Sequence, residues 1–592
     1  MAQPSDPSPA PPGRRAAHAA ETPTEKLDRL VHAGGAEFTG GLSPVSLALA
    51  AADWAWHLGV SPGRQLQLAA LAARLWADTL HAHGRAPEAD GVPDEDPRFR
   101  HDAWAHWPYS QMRAGFHNAE AFWREASWAP GMTAHHTDLT RFFARQWLDM
   151  LAPANWPATN PLVLRDALES GGTRLRQGAR HWLADASGVP LPGEPERIPA
   201  FQVGRDVAVT PGAVVYRNPL IELIRYAPQT PTVHPEPVLI VPSWIMKYYI
   251  LDLSPHNSLV RYLVGRGHTV YMLSWRNPDA ADSDLSMDDY LRLGVLDALQ
   301  AVATQGDRKT PVHAVGYCLG GTLLAIAAAA MARAGGVAEQ DLLSPLKTLT
   351  LLAAQTDFSD PGELGLFIDE GQIDLLDHIT RSQGYLSGKQ MAGSFQFLHS
   401  RDLVWARRMR EYLLGERDQS NDLMAWNADT TRMPARMHHE YLTELYLHNA
   451  LATHNYCAEG QAVSLADLQP PMFLVGTQRD HVSPWRSVYK LHQLCDAEIT
   501  FVLASGGHNA GIVSEPGHPH RSYQIHTRPA RGRWTEPGAW AAKAPSHEGS
   551  WWPAWQAWLA RHSSRRQATS PIAAGTVLCD APGTYVLQRY KE

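Results

Sequence analysis

One cysteine of the sequence lies in a pattern that favours nucleophilic chemistry. The segment Gly316-Tyr-Cys-Leu-Gly320 has the spacing G-x-C-x-G, with the apolar run Val312 to Val315 before it and an Ala-rich stretch after it. A strand, a sharp turn and a helix in this order hold a nucleophile above the edge of a sheet. Gly316 and Gly320 suit the turn because it leaves no room for Cβ atoms there. We predict that Cys318 is a nucleophile; the alternative is a buried structural cysteine.

Two loops later in the chain carry the partners that such a thiol needs. Asp480 follows the apolar run Met472 to Val475, and His508 follows the run Ile499 to Leu503. The order nucleophile, acid, histidine is the one that α/β-hydrolases use, with all three loops at the carboxyl edge of one sheet. We predict that His508 takes the thiol proton and that Asp480 orients and stabilises the imidazole. Taken alone, Asp480 could cap a helix, His508 could lie in solvent, and the adjacent His481 could compete as the base.

A thiol at this position needs an activating environment. An ordinary cysteine, with a pKa near 8.5, is only ~3% ionised at neutral pH, whereas a pKa of about 7 leaves about half of it ionised. The amino end of the following helix favours the thiolate. An oxyanion formed beside the thiol needs two N–H donors. We expect one from Leu319 and the second from the loop Pro242-Ser-Trp-Ile245, which follows the Val238 strand.

The elements that must position these residues alternate in the manner of an α/β fold. From about residue 235, short apolar runs alternate with helical stretches, which predicts a parallel sheet with crossover helices. One crossover helix has a clear start, because Ser286 can cap it and Asp289 stands three positions later. The predicted strands are Val238 to Val241, Thr269 to Leu273, Val312 to Val315, Leu349 to Leu352, Met472 to Val475 and Ile499 to Leu503.

The first 200 residues differ in character from the rest. Residues 1–27 are Pro/Ala-rich and lack the apolar core of a secretory signal, so we expect a disordered tail. Residues 28–200 are expected to form a helical domain, with helices at Ser46 to Val60 and Arg64 to His83. Most of the tryptophans are expected to pack in cores. They cluster at Trp104, Trp107, Trp123 and Trp128 and again at Trp551, Trp552, Trp555 and Trp558.

Residues 201–592 are expected to form the catalytic domain. The stretch of about 355–450 loses the strand rhythm and is predicted to be a helical insertion that forms a lid. The Gly-, Pro- and His-rich segment from Gly506 to Arg533 is predicted to be a loop, and the final helix is predicted to span Trp552 to Arg561.

Composition and charge exclude several classes of function. The 592 residues include 60 acidic and 52 basic ones, for a formal net charge of -8, with no basic run that could follow a phosphate backbone. Nucleic acid is therefore not an expected partner. The most apolar stretch, Thr322 to Ala332, is well short of the ~20 residues of a transmembrane helix. Four scattered cysteines fit a reducing cytosol, and His135-His136 and His438-His439 lack metal-ligand spacing, so neither metal nor cofactor is expected.

Several segments together resemble one family, the class I polyhydroxyalkanoate synthases, also called poly(3-hydroxybutyrate) polymerases. The likeness covers nearly the whole chain after residue 30. The stretch of about 30–75, which begins near Phe38-Thr-Gly-Gly-Leu-Ser-Pro44, resembles the short extra N-terminal segment of some of these synthases. The segments that carry the likeness are Phe201-Gln-Val-Gly-Arg-Asp-Val-Ala208, Lys247-Tyr-Tyr-Ile-Leu-Asp-Leu253, Ser274-Trp-Arg-Asn-Pro278, Gly316-Tyr-Cys-Leu-Gly-Gly321, Trp426-Asn-Ala-Asp429 and Arg479-Asp-His481.

The resemblance implies an α/β-hydrolase fold with a lid insertion, preceded by a mostly helical N-terminal domain. It implies an acyltransferase that polymerises (R)-3-hydroxyacyl-CoA into polyester through an acyl group on Cys318, with Asp480 and His508 completing the triad. Coenzyme A is then part of the substrate and not a cofactor. Either His508 alone or His508 with Asp480 could deprotonate the 3-hydroxyl during elongation, and the sequence does not decide between them.

The resemblance also carries finer expectations. Tyr317 resembles the short-chain class, which favours substrates such as 3-hydroxybutyryl-CoA. The second oxyanion donor would be Ile245, although Ser243 and Met246 depart from the Pro and Asn that the family more often has beside it. The 355–450 lid would help to form a homodimer. The product would be an apolar granule, so the implied location is the cytoplasm at the granule surface, with granule-coating proteins as candidate partners.

Two other functions compete with polymerisation. A thioesterase or hydrolase of the same fold would use the same triad, with water in place of the hydroxyl acceptor. A non-catalytic granule-binding homologue would keep the fold for interaction alone, which an intact triad disfavours. Only the family motifs outside the triad separate polymerisation from hydrolysis.

Overall fold

The structure is a computed structural model that describes most of the chain. It covers residues 41–81, 96–188, 201–306, 308–333, 343–398, 400–417 and 421–590, together with a few isolated positions between 22 and 34. The predicted tail of residues 1–27 lies almost wholly outside the described residues. The limits predicted for the domains stay predictions. In the described ranges, no helix is long and apolar enough to cross a membrane.

The described residues before residue 189 are mainly helical, as predicted. Local signals start several of its helices: Ser43 accepts a hydrogen bond from the N–H of Ser46, and Thr133 accepts one from the N–H of His136. A small aromatic core around Trp104 lies between the later helices. Residues 41–81 and 96–188 contain no strand. The helices are Pro44–Gly59, Pro62–His81, Tyr109–Ala126, Ala134–Leu151, Pro161–Glu169 and Thr173–Ser187.

Eleven strands of the described chain form one large sheet, and we number them β1 to β11 in chain order. Across the sheet they run β10-β9-β8-β7-β6-β5-β3-β4-β2-β1-β11, with β3 to β8 parallel and the outer strands antiparallel. The strands are β1 Gly212–Arg217, β2 Ile221–Tyr226, β3 Val238–Val241, β4 Val270–Trp275, β5 Val312–Tyr317, β6 Leu346–Leu352, β7 Met472–Thr477, β8 Ile499–Ala504, β9 Ser522–Arg528, β10 Ser546–Glu548 and β11 Cys579–Asp580.

The six predicted strands are all present and all parallel, so the α/β-hydrolase prediction is confirmed at its centre. The outer strands were missed, and one prediction was wrong. The segment from Gly506 to Arg533 is not all loop, because β9 lies within it and pairs antiparallel with β8. β9 lies between β8 and β10, and Arg528 is its only well-buried residue, so its sequence has too little apolar alternation to identify it as a strand.

Helices cover both faces of the sheet. Successive residues of β3 alternate, with Leu239 and Val241 in the core on one face and Val238 and Ile240 in the core on the other. The first face packs on the Tyr290–Gln305 region and the Leu319–Ala332 helix, and the second on the Leu259–Val264 and Trp552–Arg561 helices. The predicted capping box is present: Ser286 and Asp289 exchange backbone-to-side-chain hydrogen bonds ahead of Tyr290.

The tryptophans divide between core and surface. All four of the C-terminal cluster are buried in the core of the sheet, as predicted, and the final helix has the predicted bounds, Trp552–Arg561. In the N-terminal cluster Trp104 is buried, but Trp107, Trp123 and Trp128 are more than one-third exposed. Core packing therefore accounts for only part of the N-terminal cluster.

The predicted insertion lies between β6 and β7. Its described residues are mainly helical, with one short antiparallel pairing of Tyr385–Leu386 with Met433–Pro434. Its helices are Glu370–Gln383, Gly388–Leu398, Arg401–Ala406, Met409–Leu413, Asp422–Asn427, Ala435–Glu440 and Tyr441–Leu447.

A cluster of buried histidines lies at the amino ends of β3, β4 and β5. The His268 ring stacks on the His234 ring with centroids 5.0 Å apart, and neither nitrogen of His268 has a hydrogen-bond partner among the described residues. His313 is hydrogen-bonded to Thr348 Oγ1 at 2.8 Å and to Ser563 Oγ at 3.0 Å. Burial lowers the pKa of His268 to about 3 and the pKa of His313 to about 4. Both side chains are therefore neutral in the folded protein at neutral pH.

We predict that acid destabilises the fold through these histidines. In the unfolded chain they bind protons below about pH 6.5, so their full contribution to stability is present above that pH. It is lost as the pH falls toward the folded pKa values. Between about pH 6.5 and pH 4.5, the urea concentration at the midpoint of unfolding should fall for both proteins. It should fall less for His268→Leu than for the unsubstituted protein. The exposed His526, changed to Leu, is the control. Equal falls with and without His268 would contradict the prediction.

Candidate active site

The turn between β5 and the next helix holds Cys318 in a strained conformation. Cys318 has φ 52° and ψ -127°, and Leu319 begins the helix that ends at Ala332. Non-Gly residues adopt such backbone angles at a cost of about 1–3 kcal/mol, and active sites are where they concentrate. A Cβ on Gly320 would overlap the carbonyl oxygens of Val241 and Pro242, so the helix can approach the end of β3 only with Gly there. The structure therefore has the predicted strand, sharp turn and helix.

The two loops predicted to partner Cys318 meet at the same edge of the sheet. His508 Nδ1 lies 2.8 Å from Asp480 Oδ2, and both side chains are at least nine-tenths buried. Asp480 also accepts hydrogen bonds from Thr477 Oγ1 at 3.0 Å and from the N–H groups of Val482 and Ser483 at 2.9 and 2.7 Å. These bonds occupy both oxygens of the carboxylate and fix it against the turn after β7.

The environment keeps Asp480 ionised and favours the charged form of His508. Burial works to raise the pKa of Asp480, but the charge of His508 and the hydrogen bonds outweigh it, so the pKa is below its usual value. Burial works to lower the pKa of His508, but the negative charges of Asp480 and Cys318 outweigh it and leave the pKa well above its usual value. The Cys318 side chain is thus close enough to His508 to interact with it electrostatically. This arrangement suits His508 to take and hold a proton from the thiol.

The two predicted oxyanion donors, the N–H groups of Leu319 and Ile245, differ in their hydrogen bonding within the protein. Leu319 is the first residue of its helix, so its N–H has no acceptor within the helix. The Ile245 N–H donates to Ser243 Oγ at 3.3 Å, at the long end of the range for such a bond. A substrate oxyanion at the Leu319 N–H would have to displace Ser243 to use the second donor.

Comparison with known proteins gives the family. The family models described as "Poly-beta-hydroxybutyrate polymerase N terminal", "Poly-beta-hydroxybutyrate polymerase (PhaC) N-terminus" and "alpha/beta hydrolase fold" match residues 22–64, 95–263 and 236–515. The Poly(3-hydroxyalkanoate) polymerase of Methylorubrum extorquens is 39% identical over 88% of this chain and 86% of its own length. The subunit PhaC of the Cupriavidus necator polymerase is 38% identical over 85% of each chain. The chain belongs to the poly(3-hydroxyalkanoate) polymerase family.

This polymerase is therefore an acyltransferase with an α/β-hydrolase fold. Among solved structures, the monoacylglycerol lipase of Paleococcus ferrophilus aligns over 58% of the polymerase chain and all of its own. That alignment has 14% identity and a TM-score of 0.33.

Two residues beside the site escaped prediction as partners of His508. The Tyr317 hydroxyl donates to Asn509 Oδ1 at 2.6 Å, and the Tyr317 ring lies 5.7 Å from the His508 ring. The Tyr317 side chain and the Asn509 side-chain amide together therefore fix the loop that carries His508 in this polymerase. From the sequence, Tyr317 indicated only the acyl chain length, and no role was predicted for Asn509. Sequence carries no signal for a contact that spans so many positions.

The other histidines considered from the sequence differ from His508 in their surroundings. His481 is exposed on the surface next to Asp480. His438 is buried, and burial lowers its pKa to about 4. In the described ranges of the polymerase no group of three or more His, Cys, Asp or Glu side chains could hold a metal ion.

We predict that Asp480→Asn disables the Cys318–His508 pair and leaves the fold intact. Without the carboxylate the pKa of His508 falls, so less thiolate is present at neutral pH. Alkylation of Cys318 by iodoacetamide should slow at pH 7 and recover at higher pH, and kcat should fall by about 10³- to 10⁴-fold. The exposed Asp496, changed to Asn, is the matched control. An unchanged alkylation profile in Asp480→Asn would count against the predicted pair.

Proposed function

We propose that this polymerase transfers 3-hydroxyacyl groups from coenzyme A thioesters to Cys318 and then to the hydroxyl end of a growing polyester. The observation that carries the proposal is one arrangement at the edge of the sheet: Cys318 lies on its strained turn and interacts electrostatically with His508, and Asp480 is hydrogen-bonded to His508. A hydrolase would have the same arrangement. Membership of the polymerase family is what favours a hydroxyl acceptor over water.

In the proposed first step, the Cys318 thiolate attacks the thioester carbonyl and forms a C–S bond. The carbonyl oxygen becomes an oxyanion, which the Leu319 N–H and a second donor stabilise. The intermediate then collapses, the bond to coenzyme A breaks, and the coenzyme A sulfur takes a proton from His508. The products are coenzyme A with a free thiol and an acyl group on Cys318.

In the proposed second step, a 3-hydroxyl oxygen attacks the acyl group on Cys318. A base must take the hydroxyl proton while the C–S bond to Cys318 breaks. His508 alone fits this role better than His508 with Asp480, because both oxygens of Asp480 already accept hydrogen bonds within the protein. Asp480 then acts by stabilising the imidazolium.

The proposed substrates are short-chain (R)-3-hydroxyacyl-CoA thioesters, with coenzyme A as part of the substrate. Tyr317 supports the short chain by family resemblance. The proposed setting is the cytoplasm at the surface of the apolar product, with a homodimer formed through the 355–450 lid. The exposed tryptophans of the N-terminal helices, among them Trp56, Trp76 and Trp147, support contact with an apolar phase or with granule-coating proteins.

The test supplies 3-hydroxybutyryl-CoA and separates the products. We expect release of coenzyme A together with insoluble polyester, and a rate that falls as the acyl chain of the substrate is lengthened along a ladder of 3-hydroxyacyl-CoA thioesters. Cys318→Ala should abolish coenzyme A release while leaving the unfolding midpoint nearly unchanged. The exposed Cys457, changed to Ala, is the control. Free 3-hydroxybutyrate without polymer would establish the hydrolase instead.

A further inference from the structure

The loop that carries the second oxyanion donor is held by the insertion. The Thr431 N–H donates to the Ile245 carbonyl at 3.2 Å, and Thr431 Oγ1 donates to the Trp244 carbonyl at 2.6 Å. Met246 and Thr430 form an antiparallel backbone bridge. Three consecutive residues of the loop, 244–246, are therefore bound to two consecutive residues of the insertion. The position of the Ile245 peptide depends on where the 430–431 segment lies.

A buried carboxylate fixes that segment. The side chain of Asp429, one residue before Thr430, is only 4% exposed. It accepts a hydrogen bond from the Tyr249 hydroxyl at 3.0 Å and two from the Arg589 guanidinium at 3.1 and 3.0 Å. Lys247 Nζ lies 3.5 Å away. Two cations and a phenol from distant parts of the chain thus converge on one carboxylate.

Lys247 ties the same cluster to the C-terminal segment. Its side chain is 2% exposed, and Nζ donates to the carbonyls of Val586 and Gln588 at 2.5 and 2.6 Å. Burial lowers the pKa of Lys247, and Asp429 partly opposes that shift. The Lys247 carbonyl accepts a hydrogen bond from Trp426 Nε1 at 2.7 Å. Lys247 therefore links the loop after β3, the insertion and the C-terminal segment.

The C-terminal segment also contacts the insertion and the loop after β4. The Arg432 guanidinium lies between the rings of Tyr385 and Tyr590, 4.1 and 4.0 Å from their centroids. The Tyr590 hydroxyl donates to the Asn277 carbonyl at 3.0 Å, and Asn277 Oδ1 accepts from the Arg432 N–H at 2.9 Å. These contacts hold the C-terminal segment against the loop that follows β4.

We propose that Asp429, with Lys247 and Arg589, is a positioning group for the oxyanion hole: it fixes the 430–431 segment, and through it the loop that presents the Ile245 N–H. This inference rests on the proposed function. None of the three is a catalytic residue, since Asp429 acts on Ile245 through the backbone of Thr430 and Thr431. The position of this N–H donor matters because it stabilises negative charge that develops on the substrate oxygen only in the transition state. The charge on Asp429 therefore contributes to kcat and little to substrate binding.

The test compares turnover with a reaction of Cys318 that forms no oxyanion. In Asp429→Asn, kcat for coenzyme A release from 3-hydroxybutyryl-CoA should fall by about 10- to 100-fold, with KM within about twofold. Alkylation of Cys318 by iodoacetamide at pH 7 needs only the thiolate and its partners, so its rate should stay within about twofold. The exposed Asp467, changed to Asn, should leave all three quantities unchanged.

A second variant serves if Asp429→Asn fails to fold. The Arg589 side chain is 63% exposed, so Arg589→Gln removes one partner of Asp429 with little loss of packing. It should lower kcat by about 3- to 10-fold with unchanged alkylation, and Arg589→Lys should restore part of the loss. An unchanged kcat in both variants would overturn the inference, and so would a parallel fall of kcat and alkylation rate. If alkylation of Cys318 in the unsubstituted protein left turnover intact, the proposed function would fail instead.

Discussion

The hydrogen bond between the buried carboxylate of Asp480 and Nδ1 of His508 is the interaction on which the proposed chemistry of this polymerase depends. A carboxylate with 0% of its side chain exposed would favour its neutral form, were it not for the four hydrogen bonds that it accepts. Because it stays charged, it can stabilise an imidazolium. In the proposed mechanism, this imidazolium stabilises the thiolate of Cys318 during the reaction, because an unpartnered thiolate is the minor form of a cysteine at neutral pH. The proton can then pass between sulfur and nitrogen in both directions.

The sheet brings together three loops that are far apart in the sequence. Cys318, Asp480 and His508 follow β5, β7 and β8, and parallel strands end at one edge. Close packing at that edge explains the residues around the turn: Gly316 and Gly320 lie against backbone where a Cβ would overlap. We propose a similar positioning role for the cluster around Asp429. It binds, through charge and hydrogen bonds, a segment outside the sheet that contacts the loop containing Ile245.

Local patterns allowed prediction of the centre of the fold and of the site, and distant contacts limited it. The parallel strands are continuous apolar runs, the turn at Cys318 has a fixed spacing, and Ser286 with Asp289 forms a capping box within four residues, so each was predictable. β9 was missed because most of its residues are half-buried or exposed and show too little apolar alternation. The Tyr317–Asn509 bond spans 192 positions and the Lys247–Val586 bond spans 339, and no periodicity or spacing reports contacts of that range. The same limit applies to the exposed tryptophans, because the sequence gives their positions in the chain but not the residues that surround them in the fold.

The most direct test of the proposed chemistry is the mass of the protein after reaction with butyryl-CoA, a thioester that lacks the 3-hydroxyl and so cannot be extended. We predict that coenzyme A is released while one butyryl group appears on the peptide that contains Cys318. We also predict that Cys318→Ala carries no such group and releases no coenzyme A. Release of coenzyme A without an adduct, or an adduct on a residue other than Cys318, would contradict the central claim that this thiol is the acyl carrier.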